Sequence, residues 1–312
     1  MQMKVFITGA TGFIGGSIAH RLMQNGHQLT GLVRSKEKSA ERLKLGIGPV
    51  LSTLDDREVI IKAARSADAV VNAADSDHRG VAETLVSALQ GTDKALLHTS
   101  GSSIVADYAA GEPSERVFDE RIYEEGSTFT PVAELAARVA IDHLVLDAAK
   151  RQIRSAVICP CLIYGTGKGL HADSIQVPLL IATAKKGGGA RYIGRGLNVW
   201  SNVFIDDVVD LFVLALEKAA AGSFFFAESG EASMKSIAEQ ISRAMGFEGR
   251  TQSLPLEEAV REWGSGMARF GLGSNCRVRG LRARQILGWQ PSEQSLENYL
   301  KTISGSQEIS AG

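Results

Sequence analysis

The run Thr8-Gly9-Ala10-Thr11-Gly12-Phe13-Ile14-Gly15 constrains this chain more than any other. It follows a strand-like segment, Val5–Thr8, and opens a segment of helical period, Ile14–Gln24. The first glycine permits a tight turn, the second lets the backbone approach a pyrophosphate, and the third lets the helix lie close to the strand. A helix N-terminus at that place offers unpaired N–H groups and a partial positive charge to phosphates. The spacing is G-x-x-G-x-x-G, not G-x-G-x-x-G. Three glycines alone would serve equally well as a tight turn. Their position as the first strand-to-helix turn of an alternating chain is what points to a dinucleotide.

The alternation continues. Strand-like runs read Leu29–Val33, Pro49–Leu51, Ala69–Ala73, Ala95–His98 and Ser155–Ile158, with helical patterns at Arg57–Ala64, Val81–Leu89 and Glu134–Lys150 between them. Short links between such elements imply parallel strands joined by crossover helices, an α/β fold with a Rossmann-like doubly wound sheet. Asn25-Gly26 closes the first helix, glycine tolerating the left-handed turn there. After Gly165 the pattern shortens and fills with glycine, in Gly165-Thr166-Gly167-Lys168-Gly169 and Gly187-Gly188-Gly189. Helical patterns at Ile175–Lys185, from Asp206-Asp207 through Leu216, at Met234–Met245 and Leu296–Ile303, with a strand at Phe224–Phe226, complete the chain. The expected organisation is a dinucleotide-binding domain over 1–165 to which 198–218 returns. A smaller C-terminal, substrate-side domain takes 166–197 and 219–304, and 305–312 is a frayed tail.

The 34 basic and 35 acidic residues leave a net charge of −1. Nucleic-acid and membrane-surface partners normally require a basic excess or a polybasic block, so neither is expected. No apolar run approaches the ~18 residues that span a bilayer, and no signal-peptide pattern precedes Lys4-Val5-Phe6-Ile7; the expected compartment is the cytoplasm. Cys159 and Cys161 lie two apart on an apparent strand, but a C-x-C pair without further ligands reads as buried reduced thiols, and no metal is expected.

The end of the second strand discriminates between cofactors. An acidic side chain there would accept hydrogen bonds from a ribose 2′-hydroxyl. This chain has Val33-Arg34-Ser35-Lys36, and a guanidinium pairs with a 2′-phosphate. NADP is therefore expected ahead of NAD.

Several segments together resemble the extended short-chain dehydrogenase/reductases, the NAD-dependent epimerase/dehydratase-like proteins. They are the glycine loop, Asn72-Ala73-Ala74, Thr99-Ser100-Gly101-Ser102-Ser103, Pro160-Cys161-Leu162-Ile163-Tyr164-Gly165, Ile205-Asp206-Asp207-Val208 and Leu287-Gly288-Trp289-Gln290-Pro291. The resemblance implies a cofactor site of Gly9, Thr11, Gly12, Phe13, Ile14, Gly15, Arg34, Lys36, Ala73, Ala74, Thr99, Arg138, Pro160 and Leu162. It also implies a catalytic hydroxyl after the fifth strand, a Tyr-x-x-x-Lys in the following helix, and a possible homodimer through Val81–Leu89 and Glu134–Lys150. The chain departs from that pattern: the tyrosine and lysine positions hold Glu134 and Arg138, and the serine position falls on or beside Gly101. A glutamate and an arginine four apart on a helix most simply form a surface ion pair. That departure leaves Ser100 or Ser102 as substitutes for the family's serine, and Ser102, Tyr164 and His78 as candidate proton donors. Tyr164 equally reads as structural, His78 as solvated and the serines as turn or cap groups. Trp200 stands near the place where nucleotide-sugar members put an arginine for the diphosphate, with Arg277 and Arg279 as other candidates. An indole suits an apolar or planar substrate. The reading is an atypical short-chain oxidoreductase transferring hydride to or from a small carbonyl or alcohol. The alternatives are a non-catalytic NADP(H) sensor and, less favoured, a nucleotide-sugar epimerase or dehydratase. A pocket lined by Trp200 and Tyr164 would support the enzyme, and a filled cleft would argue against it.

Overall fold

A computed structural model of the chain describes residues 2–35, 46–292 and 294–308. Seven strands, β1 (Lys4–Thr8), β2 (Gln28–Val33), β3 (Gly48–Leu51), β4 (Ala69–Asn72), β5 (Ala95–Thr99), β7 (Arg154–Pro160) and β11 (Ser223–Ala227), form one sheet in the order β11-β7-β5-β4-β1-β2-β3. Every pairing in it is parallel. Crossover helices cover both faces, so the strands are apolar on both sides instead of alternating. Val5 and Ile7 of β1 pack towards helices α1 (Phe13–Gln24) and α6 (Ile205–Lys218), while Phe6 faces α2 (Arg57–Ser66) and α3 (Arg79–Leu89). The order reverses at β1 and β4, and the crevice beyond their carboxyl ends is where such sheets take ligands.

The helical pattern at Glu134–Lys150 is divided. A 3-10 turn (Ala133–Leu135) leads into α4 (Ala136–Asp147), and a second 3-10 turn runs from Ala148 to Arg151. Its apolar stripe is spent inside the molecule: Leu135, Val139, Ile141 and Val145 are all buried. Phe224–Phe226 is not part of a separate unit. It forms the centre of β11, the edge strand of the large sheet beside β7, so residues 219–304 do not stand apart from the sheet.

The region after β8 is built from short pieces. A three-stranded sheet joins β8 (Leu162–Tyr164), β10 (Val199–Phe204) and β12 (Gly230–Ser233); β9 (Ala190–Ile193) pairs with β13 (Thr251–Leu254), and β6 (Phe118–Asp119) with β14 (Val278–Arg279). Helices α5 (Gln176–Gly187), α7 (Met234–Ala244) and α8 (Leu256–Trp263) and a π-helical turn at Met267–Leu272 pack around them. The last helix, α9, runs Leu296–Glu308, so residues 305–308 continue it.

Trp289 ties the C-terminal segment back to the large domain. Its ring is 1% exposed, packs among the α1 and α6 side chains, and its Nε1 donates to the Asp207 carbonyl at 2.9 Å. The Asp207 carboxylate accepts from the backbone N–H and the hydroxyl of Ser292. Trp289→Ala removes a buried indole from a packed interface and should cost about 3–5 kcal/mol in urea unfolding. A loss below about 1 kcal/mol, the size of a surface substitution, would show that this segment does not depend on the indole.

Candidate active site

The carboxyl end of the sheet carries a long cleft in two parts that meet at Gly12, Ala73 and Ala74. The glycine loop forms the junction because three pieces of backbone touch there. Gly9 has φ +73°, and a Cβ on it would lie 2.4 Å from the Ala73 carbonyl oxygen; a Cβ on Gly15 would lie 2.5 Å from the Gly9 carbonyl oxygen. Helices α2, α3 and α7 are capped by side chains, Asp56, His78 and Ser233. Helix α1 has Gly12 at its N-cap, no side-chain cap and no acid in its first turn. Its first N–H groups and its dipole are left for an anion at the cleft junction, a fit to a dinucleotide phosphate. The segment after β8 closes over this turn: Gly169 packs on Gly16, where a Cβ would lie 2.9 Å from the Gly16 Cα, and the His171 N–H donates to Thr11.

One part of the cleft, about 640 Å³, is lined by Arg34 with Leu32, Val33, Thr53, Leu54 and Asp55. Lys36 lies outside the described residues. His78 is also here, at the Arg34 end. Its Nδ1 accepts from the Val81 N–H at the start of α3, and its Nε2 faces Asp55 at 3.2 Å. Placed so, His78 caps a helix and does not line the part of the cleft that holds the serines.

The other part, about 570 Å³, is open, and it holds the hydroxyls and the basic residue. Ser100, Gly101, Ser102, Ser103 and Arg138 line it together with Phe13, Ile14, Pro160, Cys161 and Ile163. Leu162 is fully buried and does not reach it; the alternation of side chains along β8 turns Cys161 and Ile163 to the cleft instead. Thr99 is also absent from the lining, its hydroxyl buried. Tyr164 points elsewhere: it is 1% exposed and its hydroxyl donates to the Gln294 carbonyl, so it holds the C-terminal segment. Trp200 does line the chamber, with Nε1 donating to the Ser274 carbonyl. Ile175, Met267 and Phe270 add to its apolar wall.

Glu134 and Arg138 do not pair with each other. Glu134 accepts from the Tyr108 hydroxyl at 2.6 Å. Arg138 donates from Nε to Asp77 at 2.7 Å, makes a second bond from Nη2 to the other Asp77 oxygen, and donates from Nη1 to Ser103 Oγ. The guanidinium holds the Asp77 carboxyl below the usual carboxylate range. A Cβ on Gly101 would sit 3.2 Å from Arg138 Nη1, so the glycine makes room for the larger cationic head. Ser102 is 2% exposed, and its Oγ accepts from the Cys276 thiol at 3.0 Å. Arg277 and Arg279 are held outside the chamber by Glu231. No group of three or more His, Cys, Asp or Glu side chains suited to a metal occurs among the described residues. No helix among them is long and apolar enough to cross a membrane.

Behind the cleft floor lies a buried polar chain. Thr8 donates to Asn72 Oδ1 at 2.6 Å, which turns the Asn72 amide nitrogen to His98 Nδ1 at 2.9 Å. That nitrogen of His98 must then accept, which leaves the proton on Nε2. Nε2 faces Asp142 Oδ1 at 3.9 Å. Burial, helped by the Arg138 charge, lowers His98 to about 4.

Residues 5–224 match the model of the NAD dependent epimerase/dehydratase family. The chain is 29% identical to an oxidase of Acremonium sp, over 97% of both chains. It is 26% identical to a 2-alkyl-3-oxoalkanoate reductase of Stenotrophomonas maltophilia, over 83% of this chain and 81% of that one. Its fold is similar to that of a UDP-glucose 4-epimerase of Thermotoga maritima solved with UDP-glucose, with TM-score 0.77 and 18% identity over 99% of this chain and 100% of the other.

The buried chain has a direct spectroscopic signature. His98 should remain neutral, as the Nε2–H tautomer, until the pH falls to about 4, and ¹⁵N-edited NMR of the imidazole would read it. A midpoint near 6.5, or a proton on Nδ1, would contradict the Asn72 orientation.

Proposed function

This chain belongs to the NAD dependent epimerase/dehydratase family, and we propose that it is an NADP-dependent oxidoreductase acting on a small, largely apolar carbonyl or alcohol compound. One observation carries the reading. An open cleft runs from Arg34 at one end, past the uncapped helix at its middle, to a chamber walled by Trp200, Met267 and Phe270 at the other, with serines and a fixed cation on its floor.

The residues suit the cofactor. Gly9, Gly12, Phe13, Ile14, Ala73 and Ala74 form the cradle for the pyrophosphate, and Arg34, standing at the end of β2, takes a 2′-phosphate. Bound there, the nicotinamide supplies or accepts the hydride. The chain's own residues do the rest. Pro160, Cys161 and Ile163 give the reacting ring an apolar backing. Arg138 occupies the place of the family's lysine, and Asp77 fixes its guanidinium so that its charge favours an oxyanion developing on the substrate. The chamber wall supplies apolar contact, and the arginines that would hold a diphosphate are engaged by Glu231. This favours a compact carbonyl compound over a nucleotide sugar. The names of two relatives, an oxidase and a reductase, agree with redox chemistry at such a site.

The test is fluorescence titration with NADPH and NADH, followed by a panel of aldehydes and ketones. NADPH should bind more tightly and be oxidised by apolar members of the panel. Arg34→Ala removes a charge-assisted pair and should weaken NADPH about ten- to hundredfold while leaving NADH within twofold. Equal losses for both nucleotides would reject the 2′-phosphate assignment. Tight binding without turnover would leave a cofactor sensor, and no binding would end the reading altogether.

A further inference from the structure

Asp142 lies on the inner face of α4, one turn beyond Arg138, and is fully buried. Its Oδ2 accepts from Ser100 Oγ at 2.8 Å and from the Tyr123 hydroxyl at 2.7 Å. Its Oδ1 has no hydrogen-bond partner among the described residues, and neither has His98 Nε2, 3.9 Å away. Among the described residues no cation bonds the carboxyl, and the nearby guanidinium of Arg138 is bound by Asp77. A buried carboxylate in that position is costly, and the group lowers the cost by keeping a proton. Ser100, its partner, stands in the wall of the cleft.

We propose that Ser100 and Asp142 together move the proton of the reaction, Ser100 as the catalytic hydroxyl and Asp142 as the positioning residue that loads it. The inference rests on the oxidoreductase reading above. In the reducing direction the carbonyl carbon would receive the hydride that a bound reduced nicotinamide supplies, and the π electron pair would move to the oxygen. The bond between Ser100 Oγ and Asp142 Oδ2 reverses for this step: the neutral acid donates from Oδ2 to Ser100 Oγ, the hydroxyl turns its own proton to the substrate oxygen, and as that oxygen takes it Ser100 takes the proton of Asp142 Oδ2. The products are the alcohol, the oxidised nicotinamide and an ionised Asp142. After release, a proton from water in the open cleft returns to Asp142 through Ser100. Oxidation of an alcohol runs the same steps backwards.

The surroundings set the working range. Facing Asp142 are His98 from β5, Tyr123 from the 3-10 turn at Glu120–Tyr123, Cys159 from β7, Arg138 from its own helix, and Asp77 beyond it. Burial pushes Asp142 up to about 7, against the hydrogen bonds of Tyr123 and Ser100 and the Arg138 charge, which favour the ionised form. Cys159, buried and raised, stays a neutral thiol. Reduction therefore needs the protonated acid and should slow as the pH rises through about 7.

Infrared titration of the cofactor-free protein tests the acid without turnover. A protonated-carboxyl stretch should disappear as the pH rises through about 7, and Asp142→Asn should remove it. In NADPH-dependent reduction, Asp142→Asn should lower kcat about a hundredfold or more with KM little changed, and should flatten the pH profile. Ser100→Ala should cost at least as much. Tyr123→Phe deletes a bond that favours the carboxylate, and should move the descending limb up by about one pH unit. A carboxyl that stays ionised throughout, or a limb unchanged in Asp142→Asn, would overturn the proposal. Failure of the oxidoreductase reading has a different signature: absence of turnover in the unaltered protein, not turnover with a limb indifferent to Asp142.

Discussion

The meeting of three backbones at Gly9 is the constraint on which the rest of the structure depends. β1, the start of α1 and the end of β4 come together there at distances no Cβ permits, 2.4 Å from the Ala73 oxygen and 2.5 Å from the Gly9 oxygen. With α1 held so close to its strand, its uncapped first turn opens at the sheet rim, where the order of strands reverses. The two parts of the cleft then lie to either side of one anion site, with Arg34 in one and the serines in the other. Moving α1 outwards to admit a side chain would also disturb Gly16, against which Gly169 packs.

The floor of the chamber reads as a coupled exchange. Arginine at 138 has a longer and broader head than lysine. Gly101 leaves it space, Asp77 supplies two acceptor oxygens and Ser103 a third contact. Glu134, lacking that partner, turns to Tyr108 at the surface. The result is a cation fixed by geometry and a cleft without a tyrosine hydroxyl from α4. In the proposed reaction the proton then comes from the serines and the acid behind them.

The large sheet was legible because its strands are long enough to carry a period and both of their faces are apolar. The glycine loop was legible because its place in the alternation limits its meaning. The chamber was not. Its wall comes from Trp200 of β10, the three-residue β8, loop residues and a π-helical turn at Met267–Leu272, pieces scattered along the chain that share no periodic signal. Leu162 was an error of phase: alternation counted on from Pro160 selects it, but the strand breaks between Pro160 and Leu162, so Cys161 and Ile163 line the cleft with Pro160. His78 misled because a loop after β4 stands near the rim, whereas its ring turns back to cap α3. Asp142 did have a signal, a single carboxylate inside the apolar stripe Val139, Ile141, Val145. Only the fold shows that Ser100 and Tyr123 are what it meets.

The buried pair His98 and Asp142 has a thermodynamic consequence of its own. Folding lowers the histidine from 6.5 to about 4 and raises the aspartate from 3.8 to about 7. Taken alone, the histidine makes the fold lose stability as the pH drops from 6.5 to about 4, since the unfolded chain binds the extra proton. The aspartate alone makes it gain stability from about 7 down to 3.8, since there the folded chain binds the extra proton. Across the shared interval one proton is gained and one released on folding. A zwitterion in the unfolded chain becomes a neutral acid beside a neutral base, and these two groups together leave the folding equilibrium indifferent to mild acid.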